Sequence, residues 1–96
     1  MVAELLSVDD KPNQEEEKER IEKAGGVVTK NNRIDGNLNV SRALGDHDLK
    51  DNPELEVEEQ KVIPNPHIMS AKLLGPSKTP FLIIACDGIW ECLSNQ

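Results

Sequence analysis

Aromatic side chains are almost absent from this sequence: Phe81 and Trp90 are the only two in 96 residues, and there is no tyrosine. The large rings that fill most protein interiors are missing, so a core built by this chain is a thin aliphatic one or part of something larger. Long hydrophobic runs are also lacking. The longest, Phe81–Cys86, is far short of the roughly 20 residues a membrane-spanning helix requires. Cysteine is scarce. Cys86 and Cys92 alone do not make the four-ligand pattern of a structural zinc site, and a reduced intracellular thiol is the expectation. Basic residues are outnumbered, 11 Lys and Arg against 18 Asp and Glu, for a net charge of −7. That balance excludes the basic patches that nucleic acids and anionic membranes select, and it suits cations, basic partners or plain solubility. The opening "MVAELLSVDD" carries Glu4 and no basic stretch, so it does not read as a secretory signal. An intracellular protein, cytoplasmic or nuclear, is expected.

What is present is a succession of short elements. "ELLSV" (Glu4–Val8) reads as a strand, broken by the turn-formers of "DDKPNQ". A helix follows over Gln14–Ala24. Asn13 and Glu16 have the spacing of a capping box, and acidic residues crowd the first turn. Glu16–Arg20 and Glu19–Lys23 are i,i+4 pairs, Gly25 is the stop, and Ile21 with Ala24 forms a narrow apolar stripe. Val27–Thr29, Arg33–Ile34 and Leu38–Val40 are strand candidates separated by Asn31-Asn32 and Asp35-Gly36. "SRALGD" (Ser41–Asp46) reads as a helical turn. Asp46–Glu59 is strongly acidic but fails the calcium-loop test, with Asp51 at the obligatory glycine and Val57 at the bidentate glutamate. It is expected to be a solvated connector. Ile68–Leu74 reads as a strand, Gly75–Pro80 as a loop, and Phe81–Cys86 as a strand buried on both faces, with a helix-like segment from Ile89. The order of elements implies an α+β fold.

One residue stands out chemically. Asp87 follows the apolar run directly and is itself followed by Gly88. A carboxylate ending a buried strand is costly unless it is paired or holds a cation, and magnesium or manganese would suit it. The competing reading is an Asp-Gly turn leaving a strand. Asp35-Gly36, with polar flanks, is read as a hairpin turn. Arg42 and Asp46 are read as pairing with each other or with a sheet end, the competing reading being an ordinary surface ion pair, and His47 and His67 are read as isolated surface residues. Ser41 has no base nearby and is not taken as a nucleophile.

Taken together, "LSVDDKPNQEEEKERIEKAGGVV", "IDGNLNVSRALGD", "EEQKVIPNPHI" and "FLIIACDGIWECLSNQ" resemble successive motifs of the metal-dependent, type 2C serine/threonine phosphatases. The resemblance covers nearly the whole chain, and "VSRALGD" with "ACDGIWE" is its most specific part. It implies part of a β-sandwich flanked by helices. Residues 13–40 would be the flap-like region beside the cleft, 46–62 an acidic connector, and 81–96 the metal-site strand and following helix. It implies hydrolysis of phosphoserine and phosphothreonine in proteins by water held between two divalent ions, Mg2+ or Mn2+, with Asp87 a ligand to one. No catalytic side chain is implied among the residues present. Asp10 stands where the family has a histidine. The family's Asp-Gly-His-Ala-Gly run and its later Asp-Asn are not in this sequence, so an incomplete catalytic domain, inactive alone, is expected. The alternatives are a non-catalytic phosphatase-like binding module and a simple acidic cation-binding domain.

Overall fold

The computed structural model describes residues 2–72, 74, 75, 77, 78 and 81–96. The chain divides into two units, one formed by Asp9–His67 and the other by Met1–Val8 with Ile68–Gln96.

The Asp9–His67 unit is built on helix α1, Glu15–Lys23. Glu15, Glu16 and Glu17 face the positive end of the helix dipole, and Arg20 and Lys23 lie in the last turn. The N-cap is Gln14, without a side-chain cap, rather than Asn13. Asn13 is drawn off because its backbone N–H donates to Asn32 Oδ1 at 2.7 Å. The helix ends in a Schellman motif: Gly25 donates to Glu22 O and Gly26 to Ile21 O. Gly25 has φ +85°, and a Cβ on Gly26 would sit 2.8 Å from Ile21 Cγ2, so the two glycines are needed for different reasons. Of the anticipated ion pairs, Glu19–Lys23 forms at 3.1 Å. Arg20 pairs with Glu17 and not Glu16, since the face carrying Glu17 and Ile21 is the buried one.

A minimal antiparallel meander follows, with bridges Val28–Ile34 and Ile34–Leu38. Its second reversal is the expected Asp-Gly turn, with Asp35 and Gly36 both left-handed at φ 51° and 79°. Asp35 is tied to Val27 twice, through Asp35 N to Val27 O and Val27 N to Asp35 Oδ1. Ser41–Asp46 is not helical. Arg42 instead forms a parallel bridge with Ile63, because the backbone of 41–43 has a partner strand to join. The core is small and aliphatic: Ile21, Ile34 and Val62 are fully buried, with Val28, Leu38, Ala43 and Leu49 packed against them.

The acidic stretch is largely exposed and carries local order. It contains 3-10 turns at His47–Leu49 and Val57–Glu59, the second closed by a reciprocal Glu56–Glu59 capping box. Its organiser is Gln60, a buried amide that accepts from Asn52 N and donates to Asn52 O and Leu55 O.

In the other unit the expected strands are not realised. Glu4–Val8 and residues 68–72 and 74 carry no strand; Leu73, inside the second, and Pro76, Thr79 and Pro80 of the expected loop lie outside the described residues. Phe81–Cys86 forms no bridge, and Phe81, Leu82, Ile83 and Ile84 are 61–87% exposed, so it is not a buried strand here. A strand needs neighbours to satisfy its backbone and cover its faces, and none of the described residues supplies them. The following helix, α2, is one turn, Asp87–Trp90, starting two residues before the expected position. The α+β character therefore rests on two helices and three isolated bridges among the described residues; a sandwich is not formed by them.

Candidate functional site

The most elaborate polar arrangement lies in the Asp9–His67 unit and was not visible in sequence. Glu17, only 2% exposed, points from the inner face of α1 between two guanidinium groups. Arg42 Nε donates to Glu17 Oε1 at 2.6 Å, and Arg20 Nη1 contacts Glu17 Oε2. Arg20 then donates from Nε to Gln60 O at 3.1 Å and from Nη2 to Ser41 O at 2.9 Å, fastening α1 to two other segments. Arg42 Nη1 reaches Asn65 O at 3.2 Å, and its Nε lies 3.6 Å from Asp10 Oδ1. His67 Nε2 completes the chain at 2.9 Å from Asp10 Oδ1. Arg42 is thus paired inward and not with Asp46, which corrects the surface ion-pair reading; His67 is a surface residue as expected, but it is not isolated. Burial alone would raise the Glu17 pKa, but the hydrogen bonds from Arg42 and Arg20 and the charge of Arg20 outweigh it and hold the carboxyl below its ordinary value. The Ser41 hydroxyl beside it also favours the ionised form, yet it is fully buried without a well-formed hydrogen bond and closed to any substrate.

Asp10, Glu17 and His67 present donor atoms within 4.8 Å of one another, a group that could hold a metal ion. Its electrostatics argue for an ion-pair network instead. Two arginines already satisfy Glu17, and one histidine among two carboxylates departs from the all-oxygen shell that magnesium prefers. Asp87 differs in every respect. It opens α2, is exposed, and its carboxylate has no hydrogen-bond or ion-pair partner among the described residues, while its backbone carbonyl accepts from Glu91 N at 2.9 Å. The Trp90 indole N–H donates to Ala85 O at 2.8 Å, closing the turn that carries it. Asp87 thus presents one exposed carboxylate and is not part of the Asp10–Glu17–His67 group, the one cluster of three or more such donors among the described residues.

Comparison with known proteins converges on one family. Residues 2–96 match the family described as protein phosphatase 2C. "Probable protein phosphatase 2C 21" of Arabidopsis thaliana is 48% identical over 91 residues, covering 95% of this chain and 25% of that protein. "Protein phosphatase 2C homolog 2" of Aspergillus flavus is 48% identical over 94 residues, covering 98% of this chain and 21% of that protein. Among solved structures, a phosphatase from Toxoplasma gondii is similar at 60% identity and a TM-score of 0.58, over 60% of this chain and 18% of the other. The chain spans a quarter or less of the length of each of these relatives. A match across 95 of 96 positions, carried by relatives near half identity, leads to one conclusion: this chain belongs to the protein phosphatase 2C family.

Proposed function

We propose that the chain is part of a protein serine/threonine phosphatase domain that acts on phosphoproteins with Mg2+ or Mn2+. The family match over residues 2–96 carries the reading. The divalent ions would supply Lewis acidity toward water and neutralise charge on the phosphoryl oxygens. Asp87 would offer its free carboxylate to one of them. Glu17, Arg20 and Arg42 would serve the fold, fastening α1 against the segments at Ser41 and Gln60.

In the complete domain, Phe81–Cys86 would be an interior sandwich strand. Its unbroken apolar character and the exposure of its four largest side chains support that reading, since such a surface in water has a high free energy that neighbouring strands would remove. The reading also includes an intracellular setting. One candidate ligand cannot assemble a two-metal site, so the 96-residue chain alone would be inactive.

The test is a phosphoserine peptide assay of the complete domain and of the 96-residue chain, each with manganese and with chelator. Manganese-dependent turnover by the complete domain only is expected. Turnover by the chain alone would refute the incompleteness. A domain inactive with every divalent ion would refute the activity.

A further inference from the structure

Residues 50–53, 55, 57, 60 and 64 line an open groove beside the acidic segment. Pro53, Leu55, Val57 and Pro64 form its largely apolar walls, Lys50 and Asp51 also line it, and its volume is about 380 Å3. That lies toward the small end of the range for ligand pockets, about 300–1,000 Å3. The groove is held open by fixed hydrogen bonds. Gln60 closes the loop through Asn52 and Leu55, Asn52 Oδ1 accepts from Glu54 N at 3.0 Å, and the Glu56–Glu59 box locks the adjoining turn. A site organised before binding loses less entropy when it is occupied.

The segment that lines it is predominantly negative, although Lys50 and Asp51 in the lining are of opposite sign. Seven of the fourteen residues from Asp46 to Glu59 are acidic. The single lysine among them, Lys50, gives its amine to Ala43 O at 2.6 Å. Asp51, Glu54, Glu56 and Glu58 are exposed around walls that are themselves apolar, with Val57 57% exposed. An apolar slot inside an acidic rim complements a chain in which aliphatic side chains alternate with lysine or arginine: the aliphatic groups fill the slot while the cations meet the rim. Such complementarity speeds encounter and fixes orientation.

We propose that the Asp51–Pro64 groove is a docking site for a basic, aliphatic peptide segment of a partner protein. It is built entirely within the Asp9–His67 unit and does not depend on the phosphatase reading. The test uses the full chain and a fluorescein-labelled hexapeptide of alternating lysine and leucine, followed by anisotropy. A glutamate–leucine hexapeptide of the same length and a lysine–glycine hexapeptide serve as comparisons. The proposal expects saturable binding of the lysine–leucine peptide at least tenfold tighter than of either comparison. It also expects amide shift changes confined to residues 50–60 and 64 in NMR spectra. Two variants separate the contributions: Val57→Ser should weaken binding several-fold at all salt concentrations, and Glu54→Lys with Glu58→Lys should weaken it mainly at low salt. All three positions are exposed, and circular dichroism checks that each variant retains its fold. Equal binding of the lysine–glycine peptide, or a Val57→Ser variant with unchanged affinity, would reduce the effect to non-specific charge and overturn the proposal. Shift changes elsewhere, or self-association of the chain in place of peptide binding, would overturn it as well.

Discussion

Replacing Glu17 with glutamine removes one charge from the centre of the Arg20–Glu17–Arg42 network while keeping almost the same volume. Breaking a buried ion pair from one side typically costs about 3–5 kcal/mol, because the partner's charge stays buried without compensation. Two features lower that figure here. Arg20 keeps the carbonyls of Gln60 and Ser41, and Arg42 keeps Asn65 O and the nearby Asp10. The glutamine oxygen can still accept one bond. We therefore expect a loss of about 2–3 kcal/mol, a large share of the stability of so small a domain. For 60–100 residues that corresponds to roughly 10–20 °C in Tm.

The pH dependence supplies an independent check. The folded-state pKa of Glu17 is depressed, so its stabilisation is fully present above the ordinary glutamate range and is lost as pH falls through the depressed value. Wild type should lose stability on acidification below about pH 4, near the ordinary glutamate value, and Glu17→Gln should lose measurably less. Urea unfolding of the 96-residue chain at several pH values reads both effects. A variant within about 0.5 kcal/mol of wild type at neutral pH, the range of ordinary surface substitutions, would refute the network's structural role.

Other perturbations give sharper local tests by thermal unfolding. Gly26→Ala places a methyl 2.8 Å from Ile21 Cγ2 and should cost about 1–3 kcal/mol; a neutral result would mean the Schellman turn is loose. Ile34→Ala removes a fully buried side chain between Ile21 and Val62 and should cost about 2–5 kcal/mol. Lys61→Met removes the 2.8 Å partner of Asp35, but both side chains are about 30% exposed, so the loss should stay below about 1 kcal/mol. The Lys61 hydrogen bond is the largest influence holding the Asp35 carboxyl below its ordinary value, so this stabilisation, too, disappears toward acid pH and should be absent in the variant.

Local chemistry was legible in the sequence and long-range pairing was not. The Gly25 stop, the Asp-Gly reversal and the Ile21–Ala24 stripe are decided within a few residues, and they stand where the pattern put them. Glu17, Arg42, Asp10 and His67 are far apart in the chain, and nothing in the spacing of single charges says which will meet. Gln60 was invisible for the same reason: an amide inside an acidic run looks solvated until its carbonyl partners are located. Phe81–Cys86 failed differently. Its composition describes a strand covered on both faces, a property of the surroundings that the described residues do not provide. Asp87 was singled out by its position after that run, and the structure leaves its carboxylate exposed at the head of α2.

The most direct measurement of the central claim is a manganese titration of the complete domain followed by thermal shift, with Asp87→Asn beside wild type and phosphopeptide turnover measured on the same samples. A ligand stabilises the state it binds in proportion to the logarithm of its occupancy ratio, so losing the carboxylate must shrink the shift. The account predicts an Asp87→Asn domain that melts, metal-free, at or above the wild-type temperature, gains less from manganese, and loses most of its turnover. A variant with wild-type turnover and an unchanged manganese shift would contradict it and leave Asp87 as the first residue of a short helix with no metal role.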